Sequence, residues 1–264
     1  LFPGEYELSG VAFTANNVTL KGVDKVKSVL NLSKSIYLQD KVVNLENLTY
    51  KVPTGLVYNE HEFSFIHHAK EFNLTNCNSE GRLRLNVYKS TIDNCTFNIN
   101  TNSGFDGYAF YYYGNDGSKV EVKNSTFTTA GKAICVYSES AKVYDLTVTN
   151  CSFTSSNAST DKAAIQMHTE YGISGKLAIN ECTATGFADI NGGLFNELNN
   201  QTGVPTNKFE VTFNGKEFVA DGVTKEGLNY YVTNAAGLAY FSGKTAEDGA
   251  VINLESDIDF NNAE

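Results

Sequence analysis

The sequence predicts an all-β solenoid, a chain that winds through short strands and stacks each coil on the one before. Two observations carry that prediction. A unit of about seven residues recurs along most of the 264-residue chain, and within it apolar and polar residues alternate with the period of two that marks a strand with one buried face. Composition agrees: Tyr (15) and Phe (17) are plentiful, Pro (3) is scarce, and Gly, Asn, Ser and Thr are abundant. Aromatic and β-branched residues suit pleated surfaces, while Asn and Gly accept the left-handed conformations that turns require.

In chain order the unit reads "VTLKGV" (18–23, degenerate), "NLENLTY" (44–50), "NLTNCNS" (73–79), "TIDNCTF" (91–97), "EVKNSTF" (121–127), "TVTNCSF" (147–153) and "AINECTA" (178–184). From Asn47 through Asn76, Asn94, Asn124 and Asn150 to Glu181 the steps are 29, 18, 30, 26 and 31 residues, so one unit is repeated with loops of different length. The residue two before each of these (Leu45, Leu74, Ile92, Val122, Val148, Ile179) is apolar. Second strands follow at "RLRLNVY" (82–88), "AFYYY" (109–113), "AICVY" (133–137) and "AIQMH" (164–168). A unit this small cannot bury its apolar face alone, so neighbours must stack. Like residues at like positions imply parallel, in-register stacking, with a buried ladder of Asn amides at the bend. In the last forty residues "NYYVT" and "AVINL" read as strands, with a short helix around Ala235 to Phe241.

These residues carry a resemblance. The run "FPGEYELSGVAFTANNVTLKGV", followed by "VVNLENLTY" and successive units of the "NCTF" and "AICV" type, resembles the pectin lyase-like right-handed parallel β-helix family over about residues 2–215. It is most similar to noncatalytic modules of gut-bacterial surface proteins. The resemblance implies a right-handed parallel β-helix of about eight or nine coils over 1–221. Residues 222–264 are then a small α/β segment, either a cap or the start of a following module, and the chain belongs outside the cell or on the bacterial surface. The fold hosts lyases, hydrolases, esterases, tailspikes and adhesins alike, so function has to come from a site.

The formal charge of −10, from 30 acidic and 20 scattered basic residues, excludes a nucleic-acid footprint and disfavours anionic membranes. No stretch approaches the roughly 18 apolar residues of a membrane-spanning helix. Nine Asn-x-Ser/Thr sequons occur, but Asn94, Asn124 and Asn150 share one repeat position, where stacked amides leave no room for glycans. Cys77, Cys95, Cys151 and Cys182 follow the ladder position and interchange with Leu48 and Ser125, as small core fillers do. Coils about 4.8 Å apart bring Cys77 toward Cys95 and Cys151 toward Cys182, yet parallel Cβ vectors disfavour a disulfide. Cys135 lies in a second strand, and an odd count excludes full pairing.

The run "NEHEFSFIHH" (59–68) offers His61, His67 and His68 with Glu60 and Glu62. The two Phe residues between the histidines indicate a core-facing strand with polar ends rather than a zinc site. The family's lyases use calcium-binding carboxylates with a basic residue and its hydrolases use clustered Asp; neither set matches here. Asp93 beside Lys123 reads as a cross-coil ion pair, and "MHTEYG" (167–172) lacks the Asp-Pro-His pattern of alginate epimerases. No metal or cofactor is implied.

Setting Ala109, Ala133 and Ala164 in one column sends Phe110, Tyr112, Ile134, Val136, Ile165 and Met167 inward. The outward columns are then Tyr111, Cys135, Gln166 and Tyr113, Tyr137, His168, with Arg82, Arg84, Asn86 and Tyr88 one coil earlier. Aromatic faces cover sugar C–H surfaces and planar polar groups bond hydroxyls. The expected function is therefore noncatalytic adhesion or glycan binding by a monomer, with a polysaccharide or host glycan as partner and Arg82, Arg84, Asn86, Tyr88, Tyr111, Tyr113, Tyr137, Gln166 and His168 as the contact face. The loops "NINTNSGFDG" and "TSSNASTDK" would border it. The alternatives are a polysaccharide lyase or glycoside hydrolase of the same fold, and a structural spacer in which stacked tyrosines only stabilise a sheet face.

Overall fold

The computed structural model describes residues 1–8, 13–32, 36–52, 57–58, 61–62, 64–99, 108–156, 163–169, 171–188, 191–198, 209–244 and 247–258. It is a parallel β-solenoid whose coils present three faces. The first face holds the apolar column of the repeat, in the register Leu45, Leu74, Ile92, Val122, Val148, Ile179, Phe213. All of these except Phe213 are buried, and burying each aliphatic side chain stabilises by about 2 kcal/mol relative to exposure. The second face stacks eight strands, from Gly4–Glu7 to Thr183–Thr185. Its Phe97, Phe127 and Phe153 are consecutive in register, with centroids 4.5 and 4.9 Å apart. The third face runs from Ile36–Tyr37 to Phe195–Leu198. Along it the solenoid makes about six turns, fewer than the eight or nine expected.

Between the first and second faces the backbone turns through a left-handed residue in each coil. Asn47, Asn76, Asn94, Asn124, Asn150 and Glu181 have φ between 51° and 54°, a conformation that a short amide side chain tolerates better than most. Asn76 donates to Asn47 (2.7 Å), Asn94 to Asn76 (3.2 Å) and Asn150 to Asn124 (2.9 Å) through their side-chain amides. Two details differ from the expected buried ladder. Asn94, Asn124 and Asn150 are exposed, since the turn points its amides along the outside of the stack. Asn124 donates to Asp93 Oδ1 at 2.9 Å instead of to Asn94. Asp93 and Lys123 do form a cross-coil ion pair, at 3.9 Å.

All five cysteines are free thiols. Cys95 and Cys151 are held in the protonated form by a thiol from the adjacent coil and by burial. Gly175 has no room for a side chain: at φ 135° a Cβ would lie 1.9 Å from the Tyr144 carbonyl oxygen of the coil below.

The solenoid ends at an Asn-Gly hairpin, the sequence signal that is mostly missing between the earlier strands. Asn214 (φ 48°) and Gly215 (φ 78°) supply the two left-handed residues of such a turn. Strands Lys216–Ala220, Val223–Glu226 and Asn229–Val232 follow as an antiparallel meander. A helix, Ala235–Ala239, is capped by Asn234, whose side-chain oxygen accepts from the Gly237 N–H at 2.7 Å. The final strand, Val251–Leu254, pairs in parallel with Asn229–Val232. Phe218 of the meander closes the last turn's core edge-on against Phe195 and Phe213, at 5.1 and 5.8 Å. Among the described residues no helix is long and apolar enough to cross a membrane.

Candidate functional site

The third face brings the expected columns together in the expected register. Leu83, Phe110, Ile134 and Ile165 align inward, and Arg84, Tyr111, Cys135 and Gln166 align outward. Strand geometry dictates this, because successive side chains point to opposite faces.

Outward direction did not leave these groups open to solvent. Arg82, Arg84, Asn86, Tyr111, Gln166 and His168 are all buried, Gln166 to 2% exposure. Asn86 ties coils together: its side-chain oxygen accepts the His68 N–H (3.1 Å) and its Nδ2 donates to the Tyr113 carbonyl (3.0 Å). That tie sits where the register shifts between Leu85 and Val87, opposite His68 at φ 53°. Tyr88 is 49% exposed and stands beyond this shift, nearer the first face.

The remaining aromatic groups form a connected layer. The Arg84 guanidinium lies 3.9 Å from the Tyr113 ring centre and 5.6 Å from that of Tyr111, and Arg82 lies 5.4 Å from that of Tyr108. Tyr111 stacks with Tyr113 at 6.2 Å and meets Tyr137 at 5.5 Å, while Tyr113 and Tyr137 are 6.1 Å apart. Tyr137 receives His168 edge-on at 5.6 Å and Tyr171 at 5.7 Å.

Tyr113, Tyr137 and Tyr171 are only half-buried, and they form the outer part of this layer. Tyr113 donates from its hydroxyl to Glu139 Oε2 at 3.2 Å, and Lys142 Nζ stands 4.9 Å from its ring. Burial pushes the Tyr113 phenol up, with the Glu139 carboxylate adding to the shift and Arg84 opposing it. Burial lowers Lys142, against the pull of Asp116 and Glu139. The result is a platform of aromatic rings carrying one anion and one cation at its rim.

Sequence reasoning missed Tyr108, Glu139, Lys142 and Tyr171. Tyr171 was visible in "MHTEYG", but Glu139 and Lys142 lie in a turn after the aligned strand, where period-two reasoning stops. Glu60, Phe63 and Glu170, with most of the two bordering loops, lie outside the described residues, as do the side chains of His61 and His67. Among the described residues no three His, Cys, Asp or Glu side chains converge as metal ligands would. No family model, no curated protein and no solved structure matches the chain.

Proposed function

We propose that this chain is a noncatalytic module of pectin lyase-like type on a bacterial cell surface, serving adhesion as a monomer by binding a polysaccharide or host glycan. The observation that supports this reading is the half-buried platform of Tyr113, Tyr137 and Tyr171. Its rings are braced from behind by Arg84 and His168 and flanked by Glu139 and Lys142. Rings already immobilised by stacking lose little side-chain entropy when a sugar lies on them. The contact is narrower than the full set of outward residues, since Arg82, Asn86 and Gln166 are buried beneath it.

A glycan array identifies the ligand, and titration calorimetry with Tyr113→Ala and Tyr137→Ala tests the platform. Each substitution is expected to weaken binding at least tenfold; unchanged affinity in both removes the platform from the proposal. The burial of Arg82, Arg84 and Gln166 favours a second reading, a spacer whose outer columns pack against one another rather than against a ligand. It expects no glycan to bind.

A further inference from the structure

A cavity of about 340 Å³ lies between the last turn of the solenoid and the C-terminal meander. It sits at the small end of the range for ligand pockets, about 300–1,000 Å³. That size holds one ring-sized molecule. The walls divide by chemistry. Leu194, Phe213, Phe218 and Val223 give an apolar side, and Asn191, Asn214, Asn234 and Thr224 give a neutral polar side.

The three amides are held in fixed orientations by bonds to the backbone. Asn214 accepts the Glu181 N–H on its oxygen (2.8 Å), and Asn234 accepts the Gly237 N–H on its oxygen (2.7 Å). Each therefore offers its NH₂ as a donor. Asn191 has the opposite polarity: its Nδ2 donates to the Phe195 carbonyl (2.9 Å), leaving its oxygen to accept. Asn191 and Asn214 occupy left-handed turns, φ 50° and 48°. Asn234 presses on Gly222, where a Cβ would lie 2.0 Å from its Oδ1. The polar wall is thus preorganised, with two donors, one acceptor and a Thr hydroxyl that does both.

Charge narrows the class of ligand. Lys216, the one basic residue of the lining, is already paired with the Glu255 carboxylate at 2.7 Å. An anion would meet the field of a chain of net charge −10.

We propose that this cavity binds a single neutral sugar residue. Its apolar ring face lies on Phe213 and Phe218, and its hydroxyls, each both donor and acceptor, pair with Asn191, Asn214, Asn234 and Thr224. The site is separate from the tyrosine platform and does not rest on that reading.

The test is a titration of the ¹⁵N-labelled 264-residue chain with the methyl glycosides of glucose, galactose and mannose, and with glucuronate as the anionic counterpart. At least one neutral glycoside is expected to shift the side-chain amide resonances of Asn214 and Asn234, while glucuronate does not. Ala220→Leu, which extends a wall residue into the cavity, is expected to weaken that binding at least tenfold. Thr224→Val, which removes one hydroxyl at nearly constant shape and stands in should the first variant not fold, gives a smaller loss. Tyr113→Ala with Tyr137→Ala leaves it unchanged, so failure of one site is distinguishable from failure of the other. The proposal is overturned by no shift with all three glycosides at about 50 mM, well beyond millimolar affinity. Shifts confined to the tyrosine platform, or full binding by the folded variants, overturn it equally.

Discussion

At the scale of the residue, the recurrent Asn does two separable things. It adopts φ near 50°, and its amide joins the coil below. Asn124→Ala removes both, placing a Cβ-bearing residue without a compensating hydrogen bond in the left-handed region. Asn124→Gly removes only the amide bonds to Asp93 and Asn150. In urea unfolding, Ala should cost about 1–3 kcal/mol and Gly about 1 kcal/mol less than Ala. Equal losses would mean that the backbone conformation contributes nothing. Glu181 shows that the turn accepts a residue other than Asn: it holds φ 52°, and its N–H donates to the Asn214 side-chain oxygen where the other coils use a backbone carbonyl.

At the scale of the element, strand positions and their direction were legible in the sequence because parallel in-register stacking repeats one side-chain type at one depth. Leu45 to Ile179 and Ala109 to Ala164 are instances. What covers an outward residue was not legible. Alternation tells which way Arg84 and Gln166 point, but their burial depends on neighbours from turns of unequal length, such as Tyr108, which has no counterpart in the other repeats. The exposure of the Asn ladder was missed for a related reason: hydrogen bonding between amides does not require that they be inside. Turns also set a pH response. Asp24 accepts the Lys27 and Val26 N–H groups at 3.1 and 2.9 Å and caps the turn before Ser28–Asn31. These backbone bonds hold its carboxyl below the ordinary value of 3.8. A depressed folded-state value stabilises above the unfolded-state value and is lost as pH falls through the folded-state one. Asp24→Asn should therefore lower Tm at pH 7, and the gap to the parent chain should close at acid pH. A gap that persists unchanged as the pH is taken well below 3.8 would show that the carboxylate is not what holds the turn.

At the scale of the whole molecule, each coil touches chiefly its two neighbours, so stability is a sum of local and interfacial contributions along one axis. Phe218 of the meander packs edge-on against Phe195 and Phe213, so the antiparallel strands cover part of the last turn's core. This geometry fixes how substitutions combine. Leu45 and Ile179 occupy the same column but are separated by four intervening residues, Leu74, Ile92, Val122 and Val148. Each truncation to Ala should cost about 2–5 kcal/mol, and the double variant should lose their sum to within about 0.5 kcal/mol. Phe97 and Phe127, stacked with planes 2° apart, should behave otherwise, because the first truncation already removes the ring that the second would have contacted. Their double variant should lose less than the sum by about 0.5–1.5 kcal/mol, the worth of a stacked pair. Urea unfolding of the two sets, followed at several probes because a long stack need not unfold in one step, decides the matter. Strong coupling between Leu45 and Ile179 would mean that the coils share strain along the axis and that nearest-neighbour stacking does not describe this solenoid.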